Sequence, residues 1–348
     1  MNRQFPALRG IAILFVVLNH SIVMSYTIPE RFGHTSNSTW ERAILFSIKE
    51  IGLLAVPIFL LLSGAFLVYA VENKGLKLSY RIIFTNLVTI IIPYLLWSAI
   101  FYVLIALVFH ETYSALEYIK NVIIGYPFNF VPLMIFLYLI TPFLIRMGKK
   151  FPMFLLACIL IYQLMLFNYQ VPGGLGFTFP QWMEIIKPPV LWSTIASWGI
   201  FFPLGIIYKM HGNKIIPPIQ QHSWVLTVIT FSGFVLVILN ELSVIQFPVI
   251  DILAPLMAMF LVPIITRDRI PMAKWLERLG KRAYGLYLTN LIVLTLVIKA
   301  FELLNPHFLD YHLISTPTIF ILAITIPQAV MHLMELNRKL TGYRYVFG

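Results

Sequence analysis

Long apolar stretches alternate with short polar breaks along the whole chain. Ten stretches have about the 20 apolar residues that a helix needs to cross roughly 30 Å of hydrocarbon, at 8–27, 44–71, 82–108, 128–145, 152–169, 189–208, 222–240, 248–266, 283–301 and 316–335. Hydrophobic residues make up 59% of the chain and charged residues 11%, whereas a soluble domain is about half apolar and about a quarter charged. The pattern predicts an all-α polytopic membrane protein with about ten transmembrane helices.

Basic residues concentrate in every second break. With an even number of spans, both termini lie on that side, which carries 19 of the 25 Lys and Arg residues: Arg3, Arg9, Lys74, Lys77, Arg81, Arg146, Lys149, Lys150, Lys209, Lys214, Arg267, Arg269, Lys274, Arg278, Lys281, Arg282, Arg338, Lys339 and Arg344. The positive-inside rule makes this side, and both termini, cytoplasmic. The net charge of +11 therefore reflects topology and contact with anionic lipid, and we expect no nucleic-acid partner.

Two breaks have features of their own. The segment ETYSALEYIKNVIIGYPFNF (111–130) is too polar for a span, which predicts an interfacial or re-entrant helix. The break 171–189 carries Phe177, Phe179 and Trp182, which form either an aromatic belt at the lipid headgroups, the interpretation we favour, or a platform for sugar rings. We expect residues 1–348 to form a single transmembrane domain in the cell membrane, with no appended soluble domain.

Common motifs of soluble enzymes are absent from the sequence. There is no H-E-x-x-H, no G-x-S-x-G and no Walker loop, so the sequence carries no signature of metalloprotease, serine-hydrolase or P-loop chemistry. Cys158 stands alone and the eight histidines are scattered. We therefore expect neither a disulfide framework nor a metal site.

The first apolar stretch, ALRGIAILFVVLNHS (7–21), contains two ionisable residues, Arg9 and His20. Eleven residues of helix rotate the second side chain about 20° from the first and separate them by about 16 Å along the axis. Both therefore share a face, with Arg9 near the cytoplasmic surface and His20 near the bilayer centre. Arg9 alone could be a snorkelling anchor and His20 a packing residue, but an ionisable group at mid-membrane is a functional candidate.

The first span and several later segments carry recognisable motifs. LRGIA at 8–12, followed by a span ending in His20, is the specific one and resembles the start of the acyltransferase family 3 membrane proteins. FLLLSGAFL (59–67) resembles that family's second span less specifically. Weaker likenesses are Lys77-Leu78-Ser79-Tyr80-Arg81 with Pro93 and Tyr94, LYLITP (137–142) and LGKRAYGLYLTN (279–290). The family's late segment commonly ends in Tyr-Leu-x-His. Here that position is Asn290, an amide that can still donate and accept hydrogen bonds.

The resemblance implies transfer of an acyl group, often acetyl, from cytoplasmic acyl-CoA to a hydroxyl of an envelope carbohydrate or lipid-linked glycan. Acyl-CoA is then a donor substrate, and no permanently bound cofactor is implied. The CoA phosphates need cations near the cytoplasmic surface, and Arg9, Arg81 and Lys77 are the candidates.

The resemblance also gives His20 the catalytic role. An imidazole in an apolar bundle tends to stay neutral, so its free nitrogen could take the proton of the attacking hydroxyl or carry the acyl group covalently. The sequence leaves both routes open. Ser63 and Gly64 are predicted to let helices pack closely near the site, and Asn290 is expected to pack there as well.

The competing interpretation is a transporter or exporter of a lipid-linked sugar or polysaccharide. Broken helices and a central ionisable residue are also expected of such proteins. The sequence shows no evident inverted repeat, and its embedded acids are few beyond Glu50 and Asp251. Binding and slow hydrolysis of acyl-CoA would distinguish the acyltransferase from the transporter.

Overall fold

The computed structural model describes residues 4–33, 39–72, 76–336 and 342–348, without the side chains of residues 70–72, 76–79, 81–82 and 181. This part of the chain forms helices and no strand. The α-helices are α1 (Phe5–Arg31), α2 (Thr39–Lys49), α3 (Ala55–Glu72), α4 (Leu76–Phe109), α5 (Ala115–Ile124), α6 (Phe130–Lys150), α7 (Pro152–Gln170), α8 (Trp192–Trp198), α9 (Phe201–Gln221), α10 (Ser223–Glu241), α11 (Ile250–Leu261), α12 (Ala273–Lys281), α13 (Ala283–Leu304), α14 (His312–Leu336) and α15 (Tyr343–Phe347). Short 3₁₀ turns lie at Glu50–Leu54, Gln181–Ile186, Val262–Ile264, Arg267–Arg269 and Pro306–Asp310.

Eight helical segments of the described chain are long and apolar enough to cross a membrane. They are Phe5–Arg31, Thr39–Tyr69, Ile83–Phe109, Phe130–Lys150, Pro152–Gln170, Ser223–Glu241, Ala283–Leu304 and His312–Leu336. Each overlaps one of the ten predicted spans. The prediction of an all-α polytopic membrane protein is confirmed.

The two remaining predicted spans are helical but interrupted. Span 189–208 is divided between α8 and α9, because the N–H of Ile200 donates to Gln163 Oε1 over 2.8 Å and Pro203 has no N–H for the carbonyl of Gly199. In span 248–266, α11 ends at Leu261 and the chain continues as the 3₁₀ turn Val262–Ile264, because Pro263 has no N–H for the carbonyl of Met259. Periodicity alone does not detect these interruptions.

Segment 111–130, predicted to be an interfacial or re-entrant helix, contains the helix α5. Its N-terminus is a capping box in which the N–H of Ser114 donates to Glu117 Oε2 over 2.8 Å and the N–H of Glu117 donates to Ser114 Oγ over 3.4 Å. None of its residues is buried, and one face presents Leu116, Ile119 and Ile123. This arrangement is typical of a helix lying in the headgroup region.

The chain divides into two compact units. The first unit comprises residues 1–55, 89–118 and 272–348, and the second comprises 56–88 and 119–271. Within the first unit, α1 packs against α12, α13 and α14. Arg9, His20 and Asn290 belong to this unit, whereas Ser63, Gly64, Lys77 and Arg81 belong to the second.

Helices α1 and α12 approach each other backbone to backbone. A Cβ atom at Gly10 would collide with the carbonyl of Leu276, and one at Gly280 would collide with the carbonyl of Pro6. These contacts run in opposite directions along the two helices, so α12 is antiparallel to the first turns of α1. The contact fixes the position of the α1 turn that carries Arg9.

Candidate active site

His20 of α1 and Asn290 of α13 meet inside the first unit. The imidazole Nδ1 lies 2.7 Å from Asn290 Oδ1. Asn290 is fully buried, and His20 is half-buried. The hydrogen bond joins residues 270 positions apart in the sequence and ties the middle of α1 to α13.

The amide of Asn290 is anchored by its own helix. Its Nδ2 donates to the carbonyl of Leu286 over 3.2 Å and also to the carbonyl of Tyr287. Polar side chains in apolar helices satisfy their donors in this way because hydrocarbon offers no other acceptors. The amide nitrogen therefore points to α13, and the amide oxygen points to His20.

Arg9 lies on the same helix as His20. Because α1 is continuous from Phe5 to Arg31, the eleven-residue spacing places both side chains on one face, three turns apart. Arg9 is half-buried and precedes Gly10, where α12 packs backbone to backbone. The exposed cations of α12 lie at the same end of α1: Lys274, Arg278 and Lys281.

The antiparallel helix α12 was not predicted from the sequence. Its residues, AKWLERLGK, were assigned to the basic break 267–282. The sequence signal for this helix is the spacing of Leu276, Leu279 and Gly280 among charged residues. All three are buried in the structure. This helix brings additional positive charge to the Arg9 end of α1.

The other candidate residues lie in the second unit. Gly64 of α3 packs so closely on α9 that a Cβ atom there would collide with the carbonyl of Phe202, and a Cβ at Gly205 would collide with the carbonyl of Leu61. Ser63 is buried beside this contact. Lys77 and Arg81 belong to α4, but their side chains lie outside the described part of the structure.

Beyond His20, the side of α1 that faces α14 is polar. Thr316 Oγ1 donates to Ser25 Oγ over 2.8 Å, and the rings of Tyr26 and His312 stack with centroids 3.9 Å apart. Four buried polar atoms here have no hydrogen-bond partner among the described residues: Ser21 Oγ, Tyr26 Oη, His312 Nδ1 and Ser315 Oγ. Sequence reasoning missed this region because serine and threonine are common at helix contacts in membranes.

The described residues contain no group of three or more His, Cys, Asp and Glu side chains that could hold a metal ion. The α1 face carries the Arg9 guanidinium at one end and the amide-bound His20 imidazole in the middle. Such a set can bind an anionic group and accept a proton or an acyl group.

Comparison with known proteins identifies the family. A family model described as an acyltransferase domain matches residues 2–330, which is nearly the whole chain. No curated protein and no solved structure matches. The chain belongs to the acyltransferase family 3 and is a membrane acyltransferase.

Proposed function

We propose that the protein moves an acyl group, acetyl in the simplest case, from cytoplasmic acyl-CoA to a hydroxyl of an envelope carbohydrate or lipid-linked glycan. His20 is the catalytic residue of this proposal. The observation that carries it is the His20–Asn290 hydrogen bond, because it holds an imidazole in the middle of a membrane-spanning helix of an acyltransferase. Asparagine carries no charge, so the imidazole has no ion-pair partner in this contact.

In the direct route, the acceptor oxygen attacks the thioester carbonyl while an imidazole nitrogen of His20 takes the hydroxyl proton. The C–S bond breaks, and the imidazolium returns that proton to the departing CoA sulfur. In the covalent route, the imidazole nitrogen attacks the thioester, and the C–S bond breaks to release CoA as the thiolate. The acceptor hydroxyl then attacks the acyl-imidazolium, which releases the neutral imidazole while the hydroxyl proton goes to the CoA thiolate. Both routes need one unprotonated imidazole nitrogen, and both release free CoA and the acylated acceptor.

The donor is proposed to bind through its phosphates at the N-terminal end of α1. Arg9 shares the face of His20, and α12 adds exposed basic residues beside it. A guanidinium can bind phosphate with two parallel hydrogen bonds, whereas an ammonium acts as a point charge. Arg81 and Lys77 are included in the proposed donor site only because of the family resemblance.

The test uses purified protein carrying Cys158→Ser, so that free CoA can be measured with a thiol reagent. In lipid nanodiscs without an acceptor, the protein should bind acetyl-CoA and hydrolyse it slowly. Absence of both binding and hydrolysis would contradict the proposal and favour the exporter. Mass analysis of envelope glycans from a strain lacking the protein would then identify the acceptor by its missing acyl groups.

A further inference from the structure

The orientation of the Asn290 amide is determined by the backbone of α13. The carbonyls of Leu286 and Tyr287 can only accept hydrogen bonds, so the side-chain group that faces them must be the NH₂. Rotating the amide by 180° would place Oδ1 against two carbonyl oxygens and would lose both bonds. Because Asn290 is fully buried, no water would replace them.

This orientation presents an acceptor to His20. The amide oxygen has no hydrogen to donate, so the imidazole nitrogen 2.7 Å away, Nδ1, must carry the proton of this hydrogen bond. A neutral imidazole has only one N–H, which leaves the lone pair on Nε2. Among the residues that the structure describes, Asn290 is the only hydrogen-bond partner of His20.

We infer that Asn290 is a positioning residue that holds His20 in the Nδ1–H tautomer and makes Nε2 the nitrogen that reacts. The inference rests on the proposed function, because it names the atom that takes the hydroxyl proton or the acyl group. In the direct route, Nε2 takes the proton and Nδ1–H stays bonded to the amide oxygen. In the covalent route, the acyl–nitrogen bond forms at Nε2 as the C–S bond of the donor breaks and CoA leaves as the thiolate, and the positive charge of the acyl-imidazolium spreads to Nδ1–H.

Nitrogen NMR of the wild-type protein tests this directly. Protein labelled with ¹⁵N-histidine is measured in lipid near pH 8.5, about two units above the ordinary histidine pKa, and the His20→Asn spectrum identifies the His20 signals. We expect a protonated Nδ1 and an unprotonated Nε2. A His20 spectrum dominated by the Nε2–H tautomer would overturn the inference without any further variant.

Two variants of α13 separate positioning from packing. Asn290→Leu removes the acceptor and should increase the population of the Nε2–H tautomer. Its kcat should fall about 10²-fold, within the range for general acid–base catalysis, with the acetyl-CoA Kd unchanged. The matched control is Thr295→Val, because Thr295 is equally buried and its hydroxyl donates, within the described part of the chain, only to the carbonyl of Leu291; it should change neither quantity. An Asn290→Leu protein that keeps the wild-type tautomer would contradict the inference.

The two measurements separate this inference from the proposed function. The spectra need neither donor nor acceptor, so an Nδ1–H tautomer without any transfer activity would refute the proposed function and leave the tautomer assignment intact. Transfer activity together with an Nε2–H tautomer would refute only the role of Asn290 and leave the proposed function intact.

Discussion

The two halves of α1 pack by different physical means. Residues 5–17 meet α12 through glycine, with backbone against backbone at Gly10. Residues 18–31 meet α13 and α14 through polar side chains, including the Asn290 contact of His20 and the Thr316 contact of Ser25. The first half depends on shape, whereas the second half adds hydrogen bonds to the apolar packing of Ile22 and Tyr26, and His20 lies where this polar half begins. The steric contact with α12 holds α1 in position, so the polar side chains of its second half can take part in chemistry.

The largest effect on stability is expected in the glycine half. Gly10→Ala and Gly280→Ala each place a methyl group against a backbone carbonyl, and such overpacking costs about 1–3 kcal/mol. The melting temperature of the purified protein should fall by several degrees. Gly342→Ala is the control because nothing lies within 4 Å of a Cβ at that position. Equal melting temperatures for all three variants would show that α1 and α12 are not in backbone contact.

The second prediction concerns Arg9, which lies in the glycine half but shares the face of His20. Arg9→Lys keeps the positive charge and removes the bidentate hydrogen bonding. The acetyl-CoA Kd should increase about tenfold, equivalent to about 1.4 kcal/mol, while the melting temperature stays at the wild-type value. An unchanged Kd, measured by calorimetry in detergent, would make Arg9 a topology anchor.

A smaller effect is expected for a hydrogen bond in the polar half. Thr316→Val removes the donor to Ser25 Oγ and keeps the shape of the side chain. Hydrogen bonds between membrane helices contribute about 0.6 kcal/mol on average, so the melting temperature should fall by only a degree or two. A loss as large as that of Gly10→Ala would remove the distinction between the two halves.

Single cysteine substitutions at exposed positions should leave the melting temperature unchanged, and labelling them shows which end of α1 is cytoplasmic. In a Cys158→Ser background, an impermeant thiol reagent added to intact cells should not label Lys274→Cys or Tyr345→Cys, because the positive-inside rule places both inside. It should label His307→Cys, whose side chain is 89% exposed. The reverse pattern would invert the predicted topology.

Hydropathy and helix geometry predicted the spans and the shared face of Arg9 and His20, because both features depend only on residues that lie within one helix. They did not predict the partner of His20. Asn290 was expected only to pack near the site, since the pairing of α1 with α13 depends on how distant segments associate. The division between α8 and α9 was missed for the same reason, because the Gln163 side chain comes from another helix.

The central claim is that His20 carries the chemistry of acyl transfer, and His20→Asn tests it most directly. Asparagine keeps a hydrogen-bonding group but has no titratable nitrogen, so the helix contact should survive while base or acyl-carrier chemistry is lost. Acyl transfer by the purified variant should fall about 10²–10⁴-fold, with acetyl-CoA affinity and melting temperature near wild type. The matched control is His222→Asn, at an exposed residue of the second unit, which should transfer at the wild-type rate. A near-normal rate in His20→Asn would make His20 a packing residue and contradict the account.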